Sequence, residues 1–230
     1  MRSMMYDLTN LRIEHAVSTL RTAGALSVDA YELKLQQNAP NPTQVVNHLS
    51  EARVALMFLE NGAQVTMRDR PDLKIEWLDA IFYVEVKHIR RKEQDKLDEE
   101  AARGAGGEFV MVSDTYRLEK RHPYEQISDV GRRKKHQYID GALNVLVIDS
   151  SSESMEPADA MAASGAKEFD EEFRKTPHDL ALRRLHGIML ITSWGTVGWN
   201  SRNVAFAPTD HAMPQMSWAL IQGPKDIGRG

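Results

Sequence analysis

The chain has 230 residues, of which 42% are hydrophobic and 27% are charged. This composition is typical of a globular protein, and it excludes collagen-like, disordered and disulfide-stapled classes. The chain has no cysteine, which also excludes thiolate zinc sites. The formal net charge is −4, so any nucleic-acid partner would have to meet a local basic patch rather than the whole surface.

Hydrophobic runs in this chain are short. Charged side chains interrupt the N-terminal segment, and the longest fully apolar run, Val54 to Leu59, has six residues. A secretory signal needs about 7–15 apolar residues, and a membrane span needs about 20. We therefore expect a cytoplasmic protein with no membrane partner.

The N-terminal third of the chain favours helices. Residues 11–23 space apolar side chains at helical intervals, whereas residues 25–40 leave the choice open. Asn41 can cap a helix whose first residue is Pro42. Apolar side chains then recur at helical spacing until Asn61-Gly62, which predicts the end of this helix.

Strands and helices follow in an order that predicts one α/β domain over residues 1–230. Strands are predicted at Gln64–Arg68, Asp72–Leu78, Ala80–Ile89, 142–149, 187–194 and 203–207, and helices at 90–104, 123–140, 158–174 and 177–186. The core is expected at residues 43–149, with an N-terminal addition at 1–40 and a C-terminal addition at 150–230.

The second and third of these strands carry apolar side chains at every second position. The apolar set is Leu73, Ile75, Trp77, Phe82, Val84 and Val86. A period of two places this set on the core face and puts Glu85 and Lys87 together on the other face. If the strands form a hairpin with its turn at Leu78-Asp79, Asp72 lies directly opposite Glu85. Facing β-carbons in such a pair are about 4.5–5.5 Å apart.

Two facing carboxylates repel each other unless a cation offsets their charge. Mg²⁺ suits this arrangement because it prefers hard oxygen ligands and needs only one or two carboxylates. Such an ion lowers the pKa of bound water and stabilises negative charge on a reacting phosphate. Lys87 could orient or deprotonate that water, or neutralise the developing charge.

Pro71-Asp72, twelve intervening residues and then Glu85-Val86-Lys87 resemble the signature of the PD-(D/E)xK nuclease superfamily. The element order is similar to the α-β-β-β-α-β core of this restriction-endonuclease-like fold, a mixed central sheet flanked by helices. The resemblance implies a nuclease that uses Mg²⁺, or Mn²⁺ in its place, to cut nucleic acid, with DNA as the expected partner. It also implies that Asp72, Glu85 and the carbonyl of Val86 bind the ion and that Lys87 assists catalysis.

The resemblance extends to two helices. Glu51 matches a glutamate that many members carry on the helix before the strands. Members often also place a polar residue of the second core helix at the site, which here implies Gln137, with His136 and Lys134 as alternatives. Small nucleases of this type often pair to cut both strands, so a homodimer is compatible with this interpretation.

Two basic runs lie near the predicted site, Arg90-Arg91-Lys92 and Arg132-Arg133-Lys134-Lys135. They could hold backbone phosphates, although for any single residue we favour a place on a solvated helix face. Two other interpretations remain open. The fold could be a catalytically inactive module that binds nucleic acid or protein, or the charges of the hairpin could form only a polar outer face.

Overall fold

The computed structural model describes residues 2–77, 79–89, 123–150, 163, 185–193 and 202–208. Its helices and strands are, in chain order, α1 (Arg2–Thr22), α2 (Val28–Asn38), α3 (Pro42–Glu60), β1 (Gln64–Met67), β2 (Leu73–Trp77), β3 (Ala80–Ile89), α4 (Pro123–Arg133), a 3-10 turn (Lys135–Gln137), β4 (Leu143–Ser150), β5 (Leu185–Ser193) and β6 (Arg202–Pro208). The predicted helix at 90–104 lies outside the described residues. The predicted helix at 158–174 also lies outside them, apart from Ala163, which is helical.

The six strands form one mixed sheet in the order β1-β2-β3-β4-β5-β6. The pairs β1–β2, β2–β3 and β5–β6 are antiparallel, whereas the pairs β3–β4 and β4–β5 are parallel. Parallel neighbours need a long crossover connection, and α4 lies in the one between β3 and β4. The predicted α/β class with a mixed sheet and helices is therefore confirmed, as is the final strand pair, which joins the same sheet.

The predicted helix at 123–140 is too long, because α4 ends at Arg133. The side chain of Asn144 holds the following segment in a turn. Its Nδ2 donates to the carbonyls of Ile139 at 2.8 Å and Ala142 at 2.9 Å, and its Oδ1 accepts from the Ile139 amide at 2.9 Å. These bonds satisfy backbone groups that a continued helix would have used.

The predicted helix at 177–186 is wrong at its C-terminal end. Leu185 and His186 belong to β5, where Leu185 pairs with Asn144 of β4. Pairing with a buried parallel strand overrides local helical preference at these positions. Most of the segment 25–40, which the sequence left open, is helical and forms α2, Val28–Asn38.

Helices cover both faces of the sheet. α1, α2 and α3 pack on one face and share a hydrophobic cluster with Val84 and Val147. On the opposite face, Ile127 of α4 packs against Leu146 and Ile188. No helix among the described residues has the length and apolarity that crossing a membrane requires.

The predicted ends of α3 are confirmed. Asn41 caps it through Oδ1, which accepts from the amides of Thr43 at 3.1 Å and Gln44 at 3.3 Å. The helix ends at Glu60, next to the predicted stop. These ends fix α3 against the sheet and thereby set the position of Glu51.

Variants at Phe82 and Ile81 test the alternation of buried and exposed side chains along β3. The side chain of Phe82 is fully buried and meets Phe58 of α3 edge-on with ring centroids 5.7 Å apart, whereas the neighbouring Ile81 is 49% exposed. Phe82→Ala should lower the free energy of unfolding by about 3–5 kcal/mol, because it leaves a cavity in the core. Ile81→Ala should lower it by less than about 1 kcal/mol. Urea denaturation measures both, and equal losses would contradict the assigned faces.

Candidate metal centre

The register of the β2–β3 hairpin brings Asp72 to Glu85. Leu73 pairs with Val84 and Trp77 pairs with Ala80, so two residues separate the paired ends of the strands. Asp79 has a φ of 62°, in the left-handed region that aspartate tolerates better than most residues. The next position beyond the Leu73–Val84 pair is that of Asp72 and Glu85. The predicted hairpin register is therefore confirmed.

Asp72 is buried, with 5% of its surface exposed. Its Oδ2 accepts a hydrogen bond from the Val86 amide at 2.8 Å, and its Oδ1 lies 3.8 Å from Lys34 Nζ. Burial raises the pKa of Asp72 well above its ordinary value, and the negative charges of Glu51 and Glu85 raise it further. The Val86 amide and Lys34 offset only part of this rise. Asp72 therefore holds a proton more readily than an exposed aspartate.

Glu85 is 1% exposed and lies in hydrogen-bond contact with Asp72. Burial raises the pKa of Glu85, while Lys134 and the hydrogen bond from Asp72 partly lower it. The ammonium of Lys134 forms an ion pair with Glu85. With its amide nitrogen turned toward this carboxylate, Gln137 donates to Glu85 Oε1 at 2.7 Å.

The segment after α4 therefore brings two of the candidate residues to the site. Gln137 and its alternative Lys134 both contact Glu85, whereas the other alternative, His136, is exposed. Lys134 follows the last residue of α4, and Gln137 ends the 3-10 turn. The early end of α4 thus directs both side chains toward β3.

Glu51 lies on α3 and is 5% exposed. His48 Nδ1, one helical turn earlier, lies 2.7 Å from Glu51 Oε1. Lys34 Nζ of α2 lies 3.0 Å from Glu51 Oε2, so the ammonium contacts both Glu51 and Asp72. Sequence analysis missed Lys34 and His48. The spacing of His48 and Glu51 on one helix face was a signal for His48, whereas no local pattern indicated Lys34.

Lys87 and Val86 complete the predicted set. Lys87 is half-buried and lies two residues after Glu85 on the same strand, so the two residues share a face. The side chain of Val86 packs in the cluster beneath α3, while its amide binds Asp72. The hairpin therefore supplies Asp72, Glu85 and Lys87 from one short segment.

The basic runs are only partly directed at this site. Arg90, Arg91 and Lys92 lie outside the described residues. In the second run, Lys134 contacts Glu85, whereas Arg132 pairs with Asp129 at 3.4 Å and Arg133 Nε donates to the Asp129 carbonyl at 3.3 Å. Lys135 is half-buried in the 3-10 turn. Nucleic-acid binding by both runs stays a prediction.

A second buried polar group lies where β3 and β4 end, and no sequence pattern indicated it. Asp149 is 2% exposed, and its Oδ1 accepts from Arg53 Nη1 of α3 at 3.0 Å. His88 Nδ1 lies 3.5 Å from Asp149 Oδ2. Burial raises the pKa of Asp149, but His88 and Arg53 outweigh burial, so the net pKa is lowered. This cluster connects α3 to the parallel strands β3 and β4.

The oxygen groups on the hairpin fit a hard divalent cation. No group of three or more histidine, aspartate or glutamate side chains among the described residues is placed to hold a metal ion. Mg²⁺, however, needs only one or two carboxylates and takes its other ligands from water, carbonyls and substrate. Asp72 and Glu85 are buried and in contact, and the pKa of each is raised, chiefly by burial and only partly offset by Lys34 and Lys134.

Comparisons with known proteins do not identify a relative. No protein-family model, curated protein or solved structure matches the chain.

The raised pKa of Asp72 predicts how stability depends on pH in the metal-free protein. Folded Asp72 binds a proton at pH values where the unfolded chain, with the ordinary value of 3.8, has lost it. The free energy of unfolding should therefore fall as pH rises above about 4, until the pH passes the folded-state pKa. Asp72→Asn should weaken this dependence. Urea denaturation in the presence of a chelator measures it.

The control for this measurement is Asp69→Asn, which removes an exposed carboxylate from the same connection. It should leave the pH dependence as in the wild type. An unchanged slope in Asp72→Asn would contradict the raised pKa.

Proposed function

We propose that this chain is a metal-dependent nuclease that hydrolyses phosphodiester bonds, with DNA as its substrate. The observation that carries the proposal is the contact between the buried carboxyl groups of Asp72 and Glu85, with Lys87 on the same face of β3. The order α3-β1-β2-β3-α4-β4 also supports a restriction-endonuclease-like core, which we propose as the specific topology.

In this proposal, Asp72, Glu85 and the main-chain carbonyl of Val86 would hold Mg²⁺ or Mn²⁺. A bound divalent cation supplies a more acidic water and positive charge beside the reacting phosphate. Lys134 and Gln137 orient Glu85 through the contacts described above, and the Val86 amide fixes Asp72 Oδ2 at 2.8 Å. Fixed carboxylates need no rearrangement when substrate arrives.

Lys87 has a separate role. Its ammonium lies on the face that carries Glu85, so it can stabilise negative charge that develops on the phosphate or transfer a proton with the attacking water. Glu51 acts at a greater remove, through Lys34, which it shares with Asp72. Backbone phosphates of the substrate would be held by the basic runs, with an affinity that falls as salt increases.

One observation favours a second candidate, a non-catalytic module that binds nucleic acid through the same surface. The ammonium groups of Lys34 and Lys134 already neutralise much of the charge on Glu51 and Glu85. A carboxylate cluster balanced by lysines can persist without a metal ion. This candidate predicts DNA binding without cleavage.

Cleavage of supercoiled plasmid and of end-labelled linear DNA in Mg²⁺ or Mn²⁺ tests the proposal. Asp72→Asn, Glu85→Gln and Lys87→Met should each lower the cleavage rate by about 10²- to 10⁴-fold, the usual effect of losing a charged group that acts on the reacting atoms. The same variants should keep the wild-type circular dichroism spectrum.

The matched control is Glu76→Gln. Glu76 lies on the same hairpin and pairs with Lys74 at 2.7 Å, away from the site. The Glu76→Gln variant should cleave DNA at the wild-type rate. If the protein binds DNA but shows no cleavage that Asp72→Asn abolishes, the nuclease proposal is rejected and the binding module is favoured.

A further inference from the structure

Lys34 contacts two of the carboxylates at the candidate metal centre. Its Nζ lies 3.0 Å and 3.3 Å from the two oxygens of Glu51, and 3.8 Å from Asp72 Oδ1. The side chains of Glu51 and Asp72 are 6% and 8% exposed, and that of Lys34 is 20% exposed. The ammonium is therefore a partly buried positive charge shared by two buried carboxylates.

The packing of α2 fixes this ammonium in position. Leu35, the next residue, is fully buried, and Tyr31, one turn earlier, is 3% exposed. The Tyr31 hydroxyl donates to the carbonyl of His48, and the His48 ring contacts Glu51. α2 is thus attached to α3 at the point where Glu51 meets the site, which holds the backbone of Lys34 within reach of both carboxylates.

Glu51, Asp72 and Glu85 form a carboxylate cluster, and positive charge is distributed differently at its two ends. Asp72 and Glu51 share Lys34, whose charge is provided by a neighbouring helix. Asp72 and Glu85 contact each other directly, with Lys134 and Gln137 on the outer side of Glu85. In the described part of the chain, Lys34 contacts Glu51 and Asp72 together, whereas Lys134 contacts only Glu85 of these three carboxylates.

We propose that Lys34 takes the place of a second divalent cation, so that the site binds one metal ion at Asp72 and Glu85 and none between Glu51 and Asp72. This inference rests on the proposed metal centre and makes its composition specific. Lys34 is then a positioning residue that belongs to the site although it lies on α2. An ammonium and a divalent cation compete for the same carboxylate oxygens, so removal of the ammonium should open the position to an ion.

Calorimetric titration of the metal-free protein with Mn²⁺, in the absence of nucleic acid, tests this inference. The wild type should bind one ion, and Lys34→Ala should bind two. Lys34→Ala combined with Glu51→Gln should return to one ion, because the second position then lacks a carboxylate. Lys34→Arg keeps the positive charge and should bind one ion.

Lys74→Ala is the matched control, since Lys74 is another paired lysine of the described chain but contacts Glu76 instead of the cluster. It should bind one ion. The melting temperature gives a second measurement: Mn²⁺ should raise it more in Lys34→Ala than in the wild type or in Lys74→Ala, because the second ion binds only the folded protein.

The outcomes separate this inference from the proposed function. Two ions in the wild type, or one ion in Lys34→Ala, would overturn the role of Lys34 and leave the metal centre in place. No Mn²⁺ bound by the wild type would overturn the metal centre itself, and the inference with it.

Discussion

The register of one β-hairpin brings the two buried carboxyl groups of the candidate site together. The pairing of Leu73 with Val84 places the apolar side chains of β2 and β3 on the face covered by α3, and the same pairing sets Asp72 opposite Glu85. A shift of one strand by one residue would move its apolar side chains off the face that α3 covers and would separate Asp72 from Glu85. The contact between the two carboxyl groups is thus fixed by the same burial that stabilises the sheet.

Placing carboxylates in a buried position has an electrostatic cost, and the fold offsets part of it with lysines from two directions. Lys34 comes from α2 and Lys134 from the segment after α4. Burial still dominates, since the pKa values of Asp72 and Glu85 both remain raised. A site in which carboxylates retain protons at elevated pH is one in which added positive charge is favourable.

Local patterns were sufficient to predict the hairpin and α3. Alternation of apolar residues gave the strand faces, the turn at Leu78-Asp79 gave the register, and Asn41 with Pro42 gave the start of α3. These features depend on residues close together in the chain. For the same reason Asp72, Glu85 and Lys87, within one hairpin, could be predicted to share a site.

Contacts between distant segments could not be predicted in this way. Lys34 reaches Glu51 across 17 positions, and Arg53 reaches Asp149 across 96, with no periodic pattern to announce either. The prediction carried α4 on to residue 140, because the turn that replaces its last part is held by Asn144, on the following strand, through bonds to Ile139. Lys134 was considered for the site and also for phosphate contacts, and only the path of the chain after α4 shows its contact with Glu85.

Anomalous diffraction from crystals soaked in Mn²⁺ tests the central claim most directly. The account predicts a manganese peak within coordination distance of carboxylate oxygens from both Asp72 and Glu85, about 2.0–2.4 Å away, and none in crystals of Asp72→Asn. A soaked structure in which Glu85 keeps only its contacts with Lys134 and Gln137, with no peak beside Asp72, would contradict it.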